Sequence, residues 1–137
     1  MASTVKKIDI WVGFVHDKPG ELAQALETLK GAGADIEFMF ARSVGGKAVY
    51  FVAPLKGAAQ LKAAKKLRLV KTNATRSLRI EAPDRRGIGL KIVAALGAAG
   101  INLRGFSAMG IGGKALFYVA LARNDLAKAQ RDLKKAL

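Results

Sequence analysis

Two short stretches of the sequence place a carboxylate just before a glycine and an apolar helical pattern. Asp17 precedes Pro19 and Gly20, and Asp84 precedes Gly87. The first N–H groups of a helix lack intrahelical acceptors and lie at the positive end of the helix dipole, so they can bind a carboxylate. A neighbouring aspartate can receive an ammonium group. The pattern therefore suits a zwitterion, although the same residues also form ordinary helix caps and turns.

The rest of the sequence lacks the residue sets that carry catalysis. There is no cysteine, which excludes disulfides and thiolate metal sites. The single histidine, His16, excludes a histidine-rich metal site. Neither a phosphate-binding loop nor a nucleophile elbow is present. We therefore predict no catalytic residue, no metal and no cofactor.

The charge is strongly positive and unevenly distributed. The net charge is +14, and no acidic residue occurs between Glu37 and Glu81. Such a basic field attracts polyanions in general. It fits either a soluble lysine-rich surface or nucleic-acid binding. Aromatic residues make up only 7% of the chain, which is few for base stacking, so nucleic acid is disfavoured as a partner.

Length and composition predict a folded, cytoplasmic protein. The 137 residues fit one ordinary domain or two very small ones, and 51% of them are apolar. No N-terminal segment has the pattern of a signal peptide, and no apolar run reaches 18 residues. We expect no contact with a membrane.

The sequence repeats itself. An ungapped offset of 67 residues sets Asp17 on Asp84 and Gly20 on Gly87. The same offset sets residues 45–48, Gly-Gly-Lys-Ala, on residues 112–115. We interpret the chain as two copies of one unit, at 1–72 and 73–137.

Hydrophobic periodicity predicts the order β-α-β-β-α-β in the first copy. Its elements are a strand at 5–15, a helix from Pro19 to Gly31, strands at 35–43 and 47–53, a helix at 57–67 and a strand at 68–72. The predicted fold class is α+β, with two ferredoxin-like units whose antiparallel sheets carry helices on one face.

The second copy is predicted to end without a fourth strand. Its pattern gives strands at 76–82, 101–109 and 114–121, with helices at about 86–99 and 124–136. An uncovered sheet edge pairs readily with another chain. We therefore expect a homodimer through sheet edges. Whether 68–82 is one long strand or two stays open.

These stretches resemble the ACT domain in two copies. The first copy reads Asp-Lys-Pro-Gly-Glu-Leu at 17–22, then Gly-Ala-Gly-Ala-Asp-Ile at 31–36. The second reads Pro-Asp-Arg-Arg-Gly-Ile at 83–88, then Ala-Gly-Ile-Asn-Leu at 99–103. The resemblance covers nearly the whole chain. It implies a non-catalytic regulatory module that binds a small amino acid or related metabolite at the interface between ACT-like units. The alternatives are a basic nucleic-acid-binding protein and a regulatory subunit that docks on a metabolic enzyme.

The resemblance also implies the ligand-binding positions. The second copy has Arg86 where the first has Pro19, and Gly89 where the first has Leu22. Both changes loosen the second motif, so we predict that the first copy is the better site. The implied residues are Asp17, Pro19, Gly20, Glu21, Leu22, Asp35, Asp84, Gly87, Ile88 and Asn102.

Overall fold

The computed structural model describes residues 2–137. Within that range the chain forms seven strands and four helices, with a 3₁₀ turn at Arg123–Asp125 before the last helix. In chain order they are β1 (Thr4–Ile8), β2 (Trp11–His16), α1 (Glu21–Gly31), β3 (Phe38–Val44), β4 (Lys47–Ala53), α2 (Gly57–Lys66), β5 (Thr75–Pro83), α3 (Ile88–Ala98), β6 (Leu103–Ile111), β7 (Lys114–Ala122) and α4 (Leu126–Ala136).

The chain divides into two compact units, each with its own sheet and core. The Asp17 unit comprises Asp9–Lys71, and the Asp84 unit comprises residues 2–8 and 72–137. Each unit holds one antiparallel sheet. The structure is α+β with two ferredoxin-like units, which confirms the predicted fold class.

In the Asp17 unit the strand order is β2-β4-β3. Side chains alternate between the two faces of a strand, so Tyr50 and Val52 of β4 lie on the same face. Both are fully buried, and they pack in one core with Leu29 of α1 and Ala64 of α2. This core holds both helices against one face of the sheet.

The fourth strand predicted at 68–72 is reduced to a single bridge. Val12 and Val70 exchange two backbone hydrogen bonds of 2.9 and 3.0 Å. Arg68 has a left-handed φ of 59°, and the Leu69 N–H donates to the Ala64 carbonyl oxygen at 2.8 Å. Because residues as far as Leu69 complete the end of α2, strand pairing begins only at Val70.

In the Asp84 unit the strand order is β1-β5-β7-β6. The second copy contributes three strands, and β1 takes the fourth position beside β5. The pairing sets Thr4 opposite Glu81 and Ile8 opposite Ser77. Gln130 of α4 also donates from Nε2 to the Val5 carbonyl oxygen at 3.0 Å. The N-terminal strand is therefore part of the second copy's sheet.

This placement of β1 changes three expectations. The single strand predicted at 5–15 is two strands in different sheets, interrupted at Asp9 and Ile10. The edge of β5 that was expected to be open is covered by β1. Residues 2–8, which the predicted division at 72 assigned to the first unit, group with 72–137. The physical reason is that pairing satisfies the backbone N–H and C=O groups that β5 would otherwise expose.

The Asp84 unit has a continuous apolar core. Ile80 and Val119 of the sheet, Ile92 of α3 and Leu133 of α4 are all fully buried in it. This packing fixes the start of α3 relative to β6 and β7, where the groove described below lies.

Candidate functional site

Each copy turns from a strand into a helix through a glycine in the left-handed conformation. Gly20 has a φ of 86° and Gly87 a φ of 84°. Residues with a Cβ atom adopt this conformation only with strain, so glycine suits both positions. Neither helix start receives a side-chain cap hydrogen bond. The two turns, named the Asp17 turn (17–21) and the Asp84 turn (84–88), share this backbone geometry.

At the Asp84 turn, two helix amides remain unpaired. The N–H of Ile88, the first helical residue, donates to the Arg85 carbonyl oxygen at 3.1 Å. The N–H groups of Gly89 and Leu90 follow, and no acceptor among residues 2–137 takes them up. The predicted amide of Ile88 is thus occupied, and the available donors lie one and two positions further along.

The Asp17 turn repeats this arrangement. The Glu21 N–H donates to the Lys18 carbonyl oxygen at 3.3 Å. Leu22 and Ala23 then present amides that have no acceptor within residues 2–137. Pro19 is exposed and lies directly before Gly20. The backbones of the two turns therefore offer the same donors.

The two aspartates differ in their partners. Ser43 of β3 donates from Oγ to Asp17 Oδ2 at 2.6 Å, so that carboxylate is already engaged. The repeat-equivalent of Ser43 is Gly110 of β6. A Cβ atom at Gly110 would lie 2.7 Å from Asp84 Oδ2. The Asp84 carboxylate therefore lies over the bare backbone, and no donor within residues 2–137 hydrogen-bonds to it.

A groove of about 260 Å³ lies between the Asp84 turn and strands β6 and β7. It is called the Asp84 groove below. Its charged residues are Asp84 and Arg85, and the others are glycine or apolar. The complete lining is Asp84, Arg85, Gly87, Ile88, Gly89, Ala108, Met109, Gly110, Ala115 and Phe117.

Glycine at position 89 helps to keep the groove open. In the Asp17 unit the equivalent residue is Leu22, which packs against the core. A Cβ atom at Gly89 would meet the Phe117 ring at 3.6 Å, so a longer side chain there would project toward the groove's buried side. The sequence change that was expected to weaken the second motif coincides with the cavity.

Asp35 and Asn102 are not brought to the turns. Asp35 follows α1, which has 11 residues and spans about 16 Å, whereas Asp17 precedes that helix. Asn102 is separated from Asp84 by α3 in the same way. Its Oδ1 accepts the N–H of Leu103 at 3.0 Å. Both residues therefore lie at the opposite end of a helix from the aspartate with which they were predicted to act.

Sequence reasoning missed five lining residues, namely Ala108, Met109, Gly110, Ala115 and Phe117. They lie on β6 and β7, more than twenty residues beyond the motif. The repeat alignment contained a signal for one of them, since Gly110 replaces Ser43. That signal becomes interpretable once the structure shows what Ser43 contacts.

An ion-pair cluster lies one strand position away from this turn. Lys114 Nζ is 3.1 Å from Glu81 Oε1, and Arg79 lies 3.3 Å from Glu81 Oε2. The hydrogen bond from Lys114, followed by that from Arg79, lowers the pKa of Glu81 below its ordinary value. Lys114 is thus paired with Glu81, and Arg85 is the cation that borders the groove.

Neither a metal centre nor a membrane span is found in the part of the chain that the structure describes. Among residues 2–137, no three histidine, cysteine, aspartate or glutamate side chains are grouped to hold a metal ion. None of the helices in that range has the length and apolar character needed to cross a bilayer.

Comparison with known proteins identifies the fold. No protein-family model and no curated protein matches the sequence. The structure of aspartokinase alpha and beta subunits matches with a TM-score of 0.67 at 20% identity, over 99% of this chain and 97% of that one. A protein from Bacteroides thetaiotaomicron gives 0.78 at 19% identity, over 97% and 89%. The ligand-free regulatory subunit of aspartate kinase from Thermus thermophilus gives 0.68 at 13% identity, over 100% and 98%. The similarity agrees with the ACT resemblance at the level of the fold.

Proposed function

We propose that this chain is a non-catalytic regulatory module that binds a small amino acid or related metabolite in the Asp84 groove. One observation carries the proposal. The unpaired Asp84 carboxylate and the unpaired amide of Gly89 border the same cavity. The remaining predicted positions, including the whole Asp17 turn, stay predictions.

The charges around the groove complement a zwitterion. The Asp84 carboxylate suits an ammonium group. The amides of Gly89 and Leu90, at the positive end of α3, suit a carboxylate. Arg85 adds a cation on the same side. Charge-assisted hydrogen bonds are roughly twice as strong as neutral ones, so this end of the groove orients the ligand.

The size of the groove favours a small ligand. Pockets for drug-sized molecules occupy about 300–1,000 Å³, and this one measures about 260 Å³. A free amino acid fits that volume better than a nucleotide does.

Regulation would require a protein partner or a change in assembly, because the proposal assigns the chain no catalysis. Structures with this fold include regulatory subunits of aspartate kinase. That similarity supports docking on a metabolic enzyme. A ligand that changes the chain's affinity for its partner must have its own affinity changed by the same factor.

A homodimer through sheet edges stays part of the proposal, with different edges from those first expected. Strands β3 and β6 each lie at one edge of their sheets. Residues 40–44 of β3 and 108–111 of β6 are exposed. Exposed edge strands present unpaired backbone groups that another chain can pair with.

A thermal-shift screen of the twenty amino acids tests the proposed function. A ligand at 100 times its dissociation constant stabilises the folded chain by about 2.7 kcal/mol, which gives a clear rise in Tm. We expect Asp84→Asn to abolish the shift of any hit, because the ammonium loses its counter-charge. Asp17→Asn is the matched control and should leave the shift intact.

Two results would contradict the proposal. One is the absence of a shift for every amino acid at millimolar concentration. The other is a full shift in Asp84→Asn, which would place the ligand elsewhere.

Nucleic-acid binding is the second candidate, and the exposed cations of one helix favour it. Lys62, Lys65 and Lys66 of α2 and the adjacent Arg68 are exposed, and α2 contains no acidic residue. Binding of this kind weakens steeply with added salt. It would also survive Asp84→Asn, which separates it from the leading proposal.

A further inference from the structure

The lining beyond the charged end of the Asp84 groove has a uniform chemistry. Ala115 and Phe117 of β7 are 4% and 3% exposed and form its buried side. Ile88, Ala108 and Met109 complete its apolar surface. None of these side chains donates or accepts a strong hydrogen bond. A ligand side chain that enters this region meets only apolar atoms and glycine backbone.

We infer that the groove selects amino acids with aliphatic side chains, of about the size of valine or leucine, over polar and charged ones. This inference rests on the proposed function, because it adds side-chain selectivity to the same site. The zwitterionic part of the ligand is held between Asp84 and the start of α3, so the side chain extends toward Ala115 and Phe117.

Burial decides the selectivity. Each methylene group transferred from water into an apolar site gains enough free energy for about fourfold tighter binding. A hydroxyl, amide or charged group placed there loses its hydrogen bonds to water and finds no replacement. The limited volume adds a second constraint, since it favours aliphatic side chains over indole or phenol rings.

The Asp17 unit shows that this chemistry is a property of one copy. Tyr50 occupies the position equivalent to Phe117, and Ser43 the position equivalent to Gly110. The first copy thus carries hydroxyl groups at two positions where the second carries none. The apolar lining follows from the second copy's own residues, and a shared turn backbone does not dictate it.

Isothermal titration calorimetry of the full chain with valine and threonine tests the inference, because the two ligands have nearly the same shape. A hydrophobic pocket discriminates against an added hydroxyl by up to about a hundredfold. We expect valine to bind at least about tenfold more tightly than threonine, and lysine and aspartate to bind more weakly than valine.

Two pairs of variants assign the effect to the groove. Gly89→Leu introduces the Leu22 side chain of the first copy and should remove valine binding. Its control is Gly97→Ala, in the same helix with no atom within 4 Å of the added Cβ, which should bind normally. Ala108→Ser places a hydroxyl on the groove wall and should reduce the valine-to-threonine ratio several-fold, whereas the repeat-equivalent Ala41→Ser should not change it.

The outcomes separate the inference from the function on which it rests. Valine preference that is lost in Gly89→Leu and reduced in Ala108→Ser supports both. Binding that Gly89→Leu abolishes, but that shows no preference for valine over threonine, overturns the inference and leaves the proposed function standing. No binding of any amino acid, or binding that Gly89→Leu leaves unchanged, overturns both.

Discussion

The Asp17 turn and the Asp84 turn have nearly the same backbone and different surroundings. Both pass through a left-handed glycine and leave two helix amides unpaired. In the Asp17 unit, Leu22 packs on the core and Ser43 donates to the aspartate. In the Asp84 unit, glycine occupies both equivalent positions, and a groove of about 260 Å³ lies beside the aspartate.

This difference shows that a binding site can arise by removing side chains. The first copy matches the family pattern better, with Pro19 and Leu22 in place, and for that reason it was the predicted site. The same Leu22 contributes to the core of its unit, as a residue of a stable turn should. The second copy departs from the pattern at Gly89, and the departure coincides with the open space.

The largest expected effect on this comparison comes from Gly110→Ala. The added Cβ would lie 2.7 Å from Asp84 Oδ2, which is too close, so the carboxylate must move off the groove. We expect the affinity for the amino acid identified in the screen to fall about tenfold, equivalent to about 1.4 kcal/mol. Calorimetric titration measures the change.

The control for this variant lies at the same position in the other unit. Ser43→Ala removes the hydroxyl that engages Asp17 and leaves the Asp84 groove untouched. It should bind the ligand with wild-type affinity. Equal loss of affinity in Ser43→Ala and Gly110→Ala would mean that the two turns do not differ in the way the contacts indicate.

A smaller effect is expected at the paired core positions Tyr50 and Phe117. The Tyr50 hydroxyl is buried and has no hydrogen-bond partner among residues 2–137, and burial raises the pKa of Tyr50. An unsatisfied buried polar group costs about 1–3 kcal/mol. We expect Tyr50→Phe, which copies Phe117, to raise the free energy of unfolding by about 1 kcal/mol in urea denaturation. A loss of stability would show that the hydroxyl is bound after all.

The smallest effect concerns acid stability, in which the two units also differ. Glu81 has Phe14 as its repeat-equivalent, so this titration belongs to the Asp84 unit. Because its pKa is lowered in the folded chain, ionised Glu81 stabilises the fold above its ordinary pKa. That stabilisation disappears as the pH falls through the lowered value.

Urea midpoints of the wild type and Glu81→Gln at several pH values measure this contribution. The wild type should be more stable at pH 7, and the difference should shrink below about pH 4. A difference that is constant across this range would mean that the pairing with Lys114 and Arg79 does not contribute to stability.

Periodicity and the repeat were sufficient to predict most of the fold. Alternating apolar residues and the Gly-Gly turns located β3, β4, β6 and β7, because these elements depend on local pattern. The assignment of β1 to the other copy's sheet could not be predicted in this way. Pairing between residues 4–8 and 77–81 is a long-range choice, and both candidate sheets offered an apolar face.

The site was predicted less completely than the fold. The motif located the aspartates and the helix starts correctly. It also grouped Asp35 with Asp17 and Asn102 with Asp84, although each pair is separated by the length of a helix. The groove depends on which side chains of β6 and β7 face the turn, which becomes known only once strand register is known.

Backbone amide resonances during titration with the amino acid found in the screen test the central claim most directly. If the groove binds a zwitterion at the start of α3, the amide signals of Gly89 and Leu90 should shift with ligand concentration. Those of the repeat-equivalent Leu22 and Ala23 should stay in place. Shifts at Leu22 and Ala23 with none at Gly89 and Leu90 would contradict the claim, because they would return the site to the first copy.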